Sequence, residues 1–188
     1  MKEALKEAKI GVIYKSRYGT ARQYAAWIAE ELGADLLERS AVDASRLASY
    51  DLVVYGGGIY GGKINGVDLV ANHECGRLVI FTVGLADPAS AEYFYEVVDT
   101  NLQERVHKNA AVFHLRGGID YKRLGFAHRA TMAVLRRMAL KRSPEERSEV
   151  ERLVLETYGS KSKIDFVRRD AIEPLVGHVK GVVAGLGV

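Results

Sequence analysis

The stretch Ile10-Gly11-Val12-Ile13-Tyr14-Lys15-Ser16-Arg17-Tyr18-Gly19-Thr20-Ala21 decides the architecture. Ile10–Tyr14 is a short apolar run rich in β-branched residues, which reads as a buried strand. Lys15–Thr20 is a polar loop carrying the hydroxyls of Ser16 and Thr20 and one glycine. Ala21, Tyr24, Ala25, Ile28 and Leu32 then recur at helical spacing and stop at Gly33. A strand, a hydroxyl-bearing loop and an amphipathic helix in this order make the opening half of a βαβ unit.

The alternation continues outward from that unit. Ala34–Glu38 predicts a second strand, and Asp43 can cap a short helix reaching Ala48. Leu52–Tyr55 predicts a third strand entering Gly56-Gly57-Gly58. A weaker helix around Val67–Asn72 precedes a fourth strand, Leu78–Val83. Asp87-Pro88 is a cap and first-turn pair for a helix carrying Phe94, Val97, Val98 and Leu102 on one face. Ala110–Leu115 is the fifth strand. Five short strands separated by helices, several apolar on both faces, predict an α/β fold with a doubly wound parallel sheet.

Residues 116–169 interrupt this rhythm and read as a helical insert within a single domain spanning 1–188. Ser143-Pro144-Glu145-Glu146 predicts a helix start, with that helix ending by Gly159. The last helix starts near Asp170, which forms a capping-box pattern with Glu173. Its apolar stripe is Ile172, Leu175, Val176, Val179, Val183 and Leu186. Gly177, Gly181 and Gly185 at intervals of four read as packing positions against a neighbour.

Composition narrows the function classes. The 188 residues are 48% hydrophobic and 27% charged, near the average of globular proteins. The lone Cys75 excludes an internal disulfide and a cysteine-built metal site. His73, His107, His114, His128 and His178 lack ligand spacing, so no metal site is expected. No Gly-Lys-Ser/Thr sequence supports a Walker loop, and no G-x-S-x-G elbow supports a serine hydrolase. No stretch approaches the roughly 18 apolar residues of a spanning helix, and Met1–Lys9 lacks the apolar core of a signal peptide. A cytoplasmic location is the expectation.

In a doubly wound sheet, ligands bind beyond the carboxyl ends of the strands. Three loops leave such ends. Lys15–Ala21 offers hydroxyls and helix-start amides that suit a phosphate, or equally an ordinary capped turn. Gly56–Lys63 holds five glycines around Tyr60, which suits a flat ligand with Tyr60 stacked on it, or else a flexible turn. Gly56, Gly58 and Gly61 match G-x-G-x-x-G formally, but after the wrong strand for dinucleotide binding. Thr82–Pro88 is a strand end leading to a capped helix.

Together the three loops resemble the flavodoxin-like superfamily. More narrowly, through Gly117–Arg142 and Lys163–Val179, where the family also carries an insert before its last helix, the chain is similar to the menaquinone-dependent protoporphyrinogen dehydrogenases. The resemblance implies strand order 2-1-3-4-5 and a noncovalent FMN. It implies that Ser16, Arg17, Tyr18, Gly19, Thr20 and Ala21 hold the phosphate, while Gly58, Ile59, Tyr60, Gly61 and Gly62 line the isoalloxazine. Thr82, Val83, Gly84 and Leu85 approach its other side. The implied function is an FMN-dependent oxidoreductase passing electrons from a reduced organic substrate to a quinone or other acceptor. The alternative is a flavodoxin-type electron-transfer module serving a redox partner protein. No acid–base residue stands out, so no catalytic residue is assigned.

The net charge of +3 is unevenly spread. Lys122, Arg123, Arg129, Arg136, Arg137, Lys141 and Arg142 lie within one segment without Asp or Glu, leaving 20 basic against 24 acidic residues elsewhere. On a helical wheel Leu124, Ala127, Thr131, Val134, Leu135, Met138 and Ala139 share one arc and the arginines oppose it. Such a helix packs on the body with a solvated basic face, or meets the inner face of a membrane or a protein partner. The absence of interleaved aromatics argues against nucleic acid.

Overall fold

The computed structural model describes residues 8–89, 97–102, 106, 109–159 and 163–185. The chain runs through β1 (Ile10–Lys15), α1 (Thr20–Leu32), β2 (Asp35–Glu38), α2 (Ala44–Ala48), β3 (Leu52–Tyr60), β4 (Lys63–Ile64), α3 (Asp68–Asn72) and β5 (Arg77–Gly84). After helical residues 97–101 come β6 (Ala110–Arg116), β7 (Gly118–Asp120), α4 (Phe126–Ala139), α5 (Glu149–Thr157), β8 (Lys163–Asp165) and α6 (Glu173–Ala184). Of the expected helix after Asp87, Phe94 lies outside the described residues, as does Leu186 of the last helix.

Five strands form a parallel sheet in the order β2-β1-β3-β5-β6, with β4 pairing antiparallel to β3. Leaving the hairpin strand aside, this is the expected 2-1-3-4-5 order. Alternation along the strands divides the core. Val12, Val54 and Phe81 face α1 and α6, meeting Tyr24, Ile28, Leu175 and Val179. Ile13, Val53, Tyr55 and Ile80 face the other layer, meeting Leu47, Leu69, Val97 and Val98. Each such side chain contributes about 1.5–3 kcal/mol on burial. Both faces of the sheet are covered, which is why its strands read as continuous apolar runs.

Three local expectations are corrected. The helix expected from Ser143 to Gly159 is two elements: a 3-10 turn at Pro144–Glu146, then α5 behind its own cap, Ser148. Asp170 does not cap α6; a 3-10 turn at Arg169–Ile172 leads directly into it. Gly177 and Gly181 meet nothing within 4 Å of a Cβ position, so they are not contacts with a neighbouring element.

The insert closes on itself. β7 pairs antiparallel with β8 through Gly118↔Asp165, Ile119↔Ile164 and Asp120↔Lys163. Tyr24 on α1 fastens this neck to the body, its hydroxyl donating to the Arg116 carbonyl at 2.7 Å and accepting the Arg168 N–H at 3.3 Å. The insert therefore stands against the carboxyl end of the sheet.

Candidate functional site

The loop between β1 and α1 is bent by Gly19, whose φ of +97° lies in the left-handed region that favours glycine. Ser16 Oγ accepts the Gly19 N–H at 3.1 Å, and the first helical bond runs from Gln23 N–H to the Gly19 carbonyl at 2.9 Å. No side chain caps α1. By helix geometry the Thr20, Ala21 and Arg22 amides have no carbonyl four residues back within the helix, and they carry the positive end of its dipole.

The glycine run after Leu52–Tyr55 is not a free loop. β3 continues to Tyr60, then turns through Gly61 and Gly62 (φ +57° and +75°) into β4. Positive φ at both central residues is the hairpin geometry that glycine supplies. Asn101 secures this hairpin: its amide nitrogen donates to the Gly62 carbonyl at 2.6 Å and its amide oxygen accepts the Ile64 N–H at 3.0 Å. Gly56 lies within the sheet because the Phe81 ring fills the space a Cβ would take. Tyr60 folds back over Gly58, where an added Cβ would stand 2.9 Å from the tyrosine hydroxyl.

The third loop leaves β5 at Gly84. Arg116 ties it to the insert: one guanidinium nitrogen lies 2.6 Å from Glu149 Oε1, another 3.4 Å from Asp87 Oδ2. The same guanidinium sits 3.8 Å over the Phe166 ring. Glu149 also accepts the Asp87 N–H at 2.8 Å.

Between these loops and the insert is a cavity of about 550 Å³. Its floor is Tyr18, Gly19, Thr20, Ala21, Gly58, Ile59, Tyr60, Gly61, Val83, Gly84 and Leu85. Its outer wall is Gln23 and Trp27 from α1, Gly117–Asp120, Arg123, Leu124, His128, Thr131 and Met132, with Lys163, Asp165 and Val167. Within it three rings cluster. His128 stacks on Tyr60 at 4.9 Å and 5° between planes, and Tyr18 meets both edge-on. Tyr18 Oη lies 2.6 Å from His128 Nδ1 and accepts the Gly125 N–H at 3.3 Å. Partial burial, then the Arg17 guanidinium, hold the His128 pKa below the usual histidine value. Burial raises that of Tyr60.

A family model described as flavodoxin domain matches residues 11–146. The chain belongs to the flavodoxin-domain family. No curated protein matches it significantly. Among solved structures it is similar to flavodoxin 1 from Bacillus cereus, with 18% identity over 58% of this chain and 84% of that one, at a TM-score of 0.44. A flavoprotein in complex with FMN from Lactobacillus acidophilus has 17% identity over 58% and 92%, at 0.37. A flavodoxin from the domain Archaea has 16% identity over 57% and 84%, at 0.39.

In this flavodoxin-domain protein the three sequence-selected loops do converge on one cavity. Ser16, Arg17, Gly62 and Thr82 stand outside its lining. Ser16 shapes the loop between β1 and α1, and Gly62 turns the hairpin. Thr82 is fully buried in β5, 2.8 Å from His114 Nδ1. The outer wall escaped the sequence reading. Trp27 stands beside the apolar stripe of α1, where spacing suggests nothing but core, and His128 is a lone histidine whose partner Tyr18 is 110 residues away.

Proposed function

We propose that this flavodoxin-domain protein holds FMN noncovalently in the cavity and acts as an oxidoreductase. Electrons pass from a reduced organic substrate to a quinone or other acceptor, as in the protoporphyrinogen dehydrogenases that the sequence resembles. One observation carries the reading: the insert and the three loops line one cavity. Its volume falls within the roughly 300–1,000 Å³ of small-molecule sites.

The donor set fits the group. The α1 amides of Thr20 and Ala21, with the Thr20 hydroxyl, suit a phosphate at a helix N-terminus. Gly58–Gly61 and Val83–Leu85 present backbone and apolar surface suited to a flat ring. FMN supplies one- and two-electron transfer when bound. The chain's own part is to orient it and to enclose it: Trp27, Ile119, Leu124 and Met132 give apolar surface to a wall that also carries Asp120, Arg123, Lys163 and Asp165. An electron carrier needs no such wall, whereas an enzyme acting on a small organic substrate does.

The visible spectrum of the protein titrated with FMN, followed by porphyrinogen turnover with a menaquinone analogue, tests both parts. Saturable FMN uptake and a flavin-dependent rate are expected. FMN uptake with one-electron exchange to a reductase, and no small-molecule turnover, would assign the carrier role instead. A protein that takes up no FMN would remove both.

The insert's outer surface supports a further part of the proposal, contact with an anionic membrane face. Phe126, Val134, Met138 and Leu140 are all exposed, Phe126 at 90%, and Arg129, Arg136 and Arg137 flank them. A quinone acceptor dissolved in lipid would be met at such a surface.

A further inference from the structure

One face of the Tyr60 ring is occupied: His128 lies on it at 4.9 Å, nearly parallel. The ring edge stands close to Gly58, where a Cβ would come within 2.9 Å of it. Tyr18 closes the edge at 6.0 Å. The sequence-based expectation that Tyr60 stacks on a flat ligand meets His128 already on one of its faces.

His128 is held by the same residue that holds the start of its helix. Gly125, which precedes α4, has no side chain to cap it, and its N–H is taken by the Tyr18 hydroxyl at 3.3 Å. That hydroxyl is also 2.6 Å from His128 Nδ1. Tyr18 belongs to the loop that suits a phosphate. One side chain thus joins that loop, the ring face of Tyr60 and the first turn of α4.

We propose that His128 is a resident occupant of the Tyr60 ring face, which a flavin must displace, so that seating FMN frees the first turn of α4 from Tyr18. This inference rests on the FMN reading above. It makes His128 a positioning residue that sets flavin affinity, and it couples occupancy of the cavity to the conformation of the insert's exposed helix. The coupling is reciprocal: whatever draws the start of α4 away from Tyr18 favours flavin binding.

Two measurements on the full chain test it. FMN dissociation constants are compared for the wild type, His128→Ala and His128→Phe. Losing one aromatic pair on the Tyr60 face should tighten binding about 2- to 12-fold in His128→Ala. His128→Phe keeps a ring there and should bind no tighter than the wild type. Independently of any variant, hydrogen exchange of amides 125–132 in the wild type should quicken several-fold when FMN is added. FMN uptake by all three proteins with equal or weaker affinity in His128→Ala overturns the role of His128 alone. So does protection of amides 125–132 on FMN addition, which would make α4 a cover that closes on the flavin. FMN uptake by none of them removes the flavin reading and this inference together.

Discussion

At the residue scale, the pair formed by Thr82 and His114 shows how a buried strand end carries a titratable load. The two are register partners across β5 and β6. His114 Nε2 lies 3.2 Å from the Ala86 carbonyl, which can only accept, so Nε2 carries the proton and Nδ1 accepts from the Thr82 hydroxyl at 2.8 Å. Burial lowers the His114 pKa, outweighing the opposing Ala86 carbonyl. The folded protein therefore keeps the ring neutral where the unfolded chain already takes up a proton. The associated stability is fully present above about pH 6.5 and is lost as pH falls through that value towards the folded pKa. Thermal midpoints between pH 7.5 and 5.5 should fall less steeply in His114→Gln than in the wild type. Equal slopes would show that His114 carries none of this dependence.

At the element scale, the insert is held by caps placed one after the other. Glu146 reaches back to the Ser143 N–H at 3.1 Å, and Arg147 then donates to the Ala139 and Arg142 carbonyls at the end of α4. Ser148 caps α5, accepting the Glu151 N–H at 3.2 Å, while the buried Glu151 accepts the Ser148 N–H at 2.8 Å and pairs with Arg142 at 3.2 Å. Ser148→Ala removes half of that reciprocal pair and should cost about 0.5–2 kcal/mol in urea denaturation. Ser143→Ala should cost less, because the turn it precedes has only three residues. The sequence showed one of these starts and hid the other, since Ser143 and Glu146 satisfy the same pattern five residues earlier. β1, β3 and β5 were legible because burial on both faces writes an apolar run. β7 and β8 were not: three residues each, they pair across some 45 residues of chain and have no periodicity to show. The wheel for α4 was legible in kind and partly displaced in rotation. Leu135 and Ala139 of the expected arc face the body, joined there by His128 and Met132, whereas Ala127, Thr131, Val134 and Met138 of the same arc are exposed. The ring stack on Tyr60 and the Tyr18 hydroxyl turn a polar histidine inward, and no hydropathy scale contains that.

At the scale of the whole molecule, that rotation leaves apolar and basic groups together on the outside. Val134, Met138 and Leu140 are each more than half exposed and Phe126 nearly wholly so, while seven cations of the same segment stand against a remainder with more acids than bases. Within the described residues no helix is long and apolar enough to cross a membrane. Each Lys or Arg near an anionic surface contributes about 1 kcal/mol, and a buried phenylalanine about 1.5–3 kcal/mol. Two kinds of variant separate these contributions. Arg136→Glu with Arg137→Glu should weaken binding to phosphatidylserine-containing vesicles by at least roughly 30-fold, the loss of two such charges. Phe126→Ala should weaken it by about tenfold or more, at high salt as well as low. Vesicle flotation checks both, with uncharged phosphatidylcholine vesicles as the comparison. Equal flotation with charged and uncharged vesicles would remove the electrostatic part, because screening and charge reversal act only on the anionic surface. Absence of wild-type flotation on anionic vesicles at low salt would remove lipid as the partner of this face altogether, leaving a protein surface with acidic groups around an apolar centre as the occupant the same chemistry fits.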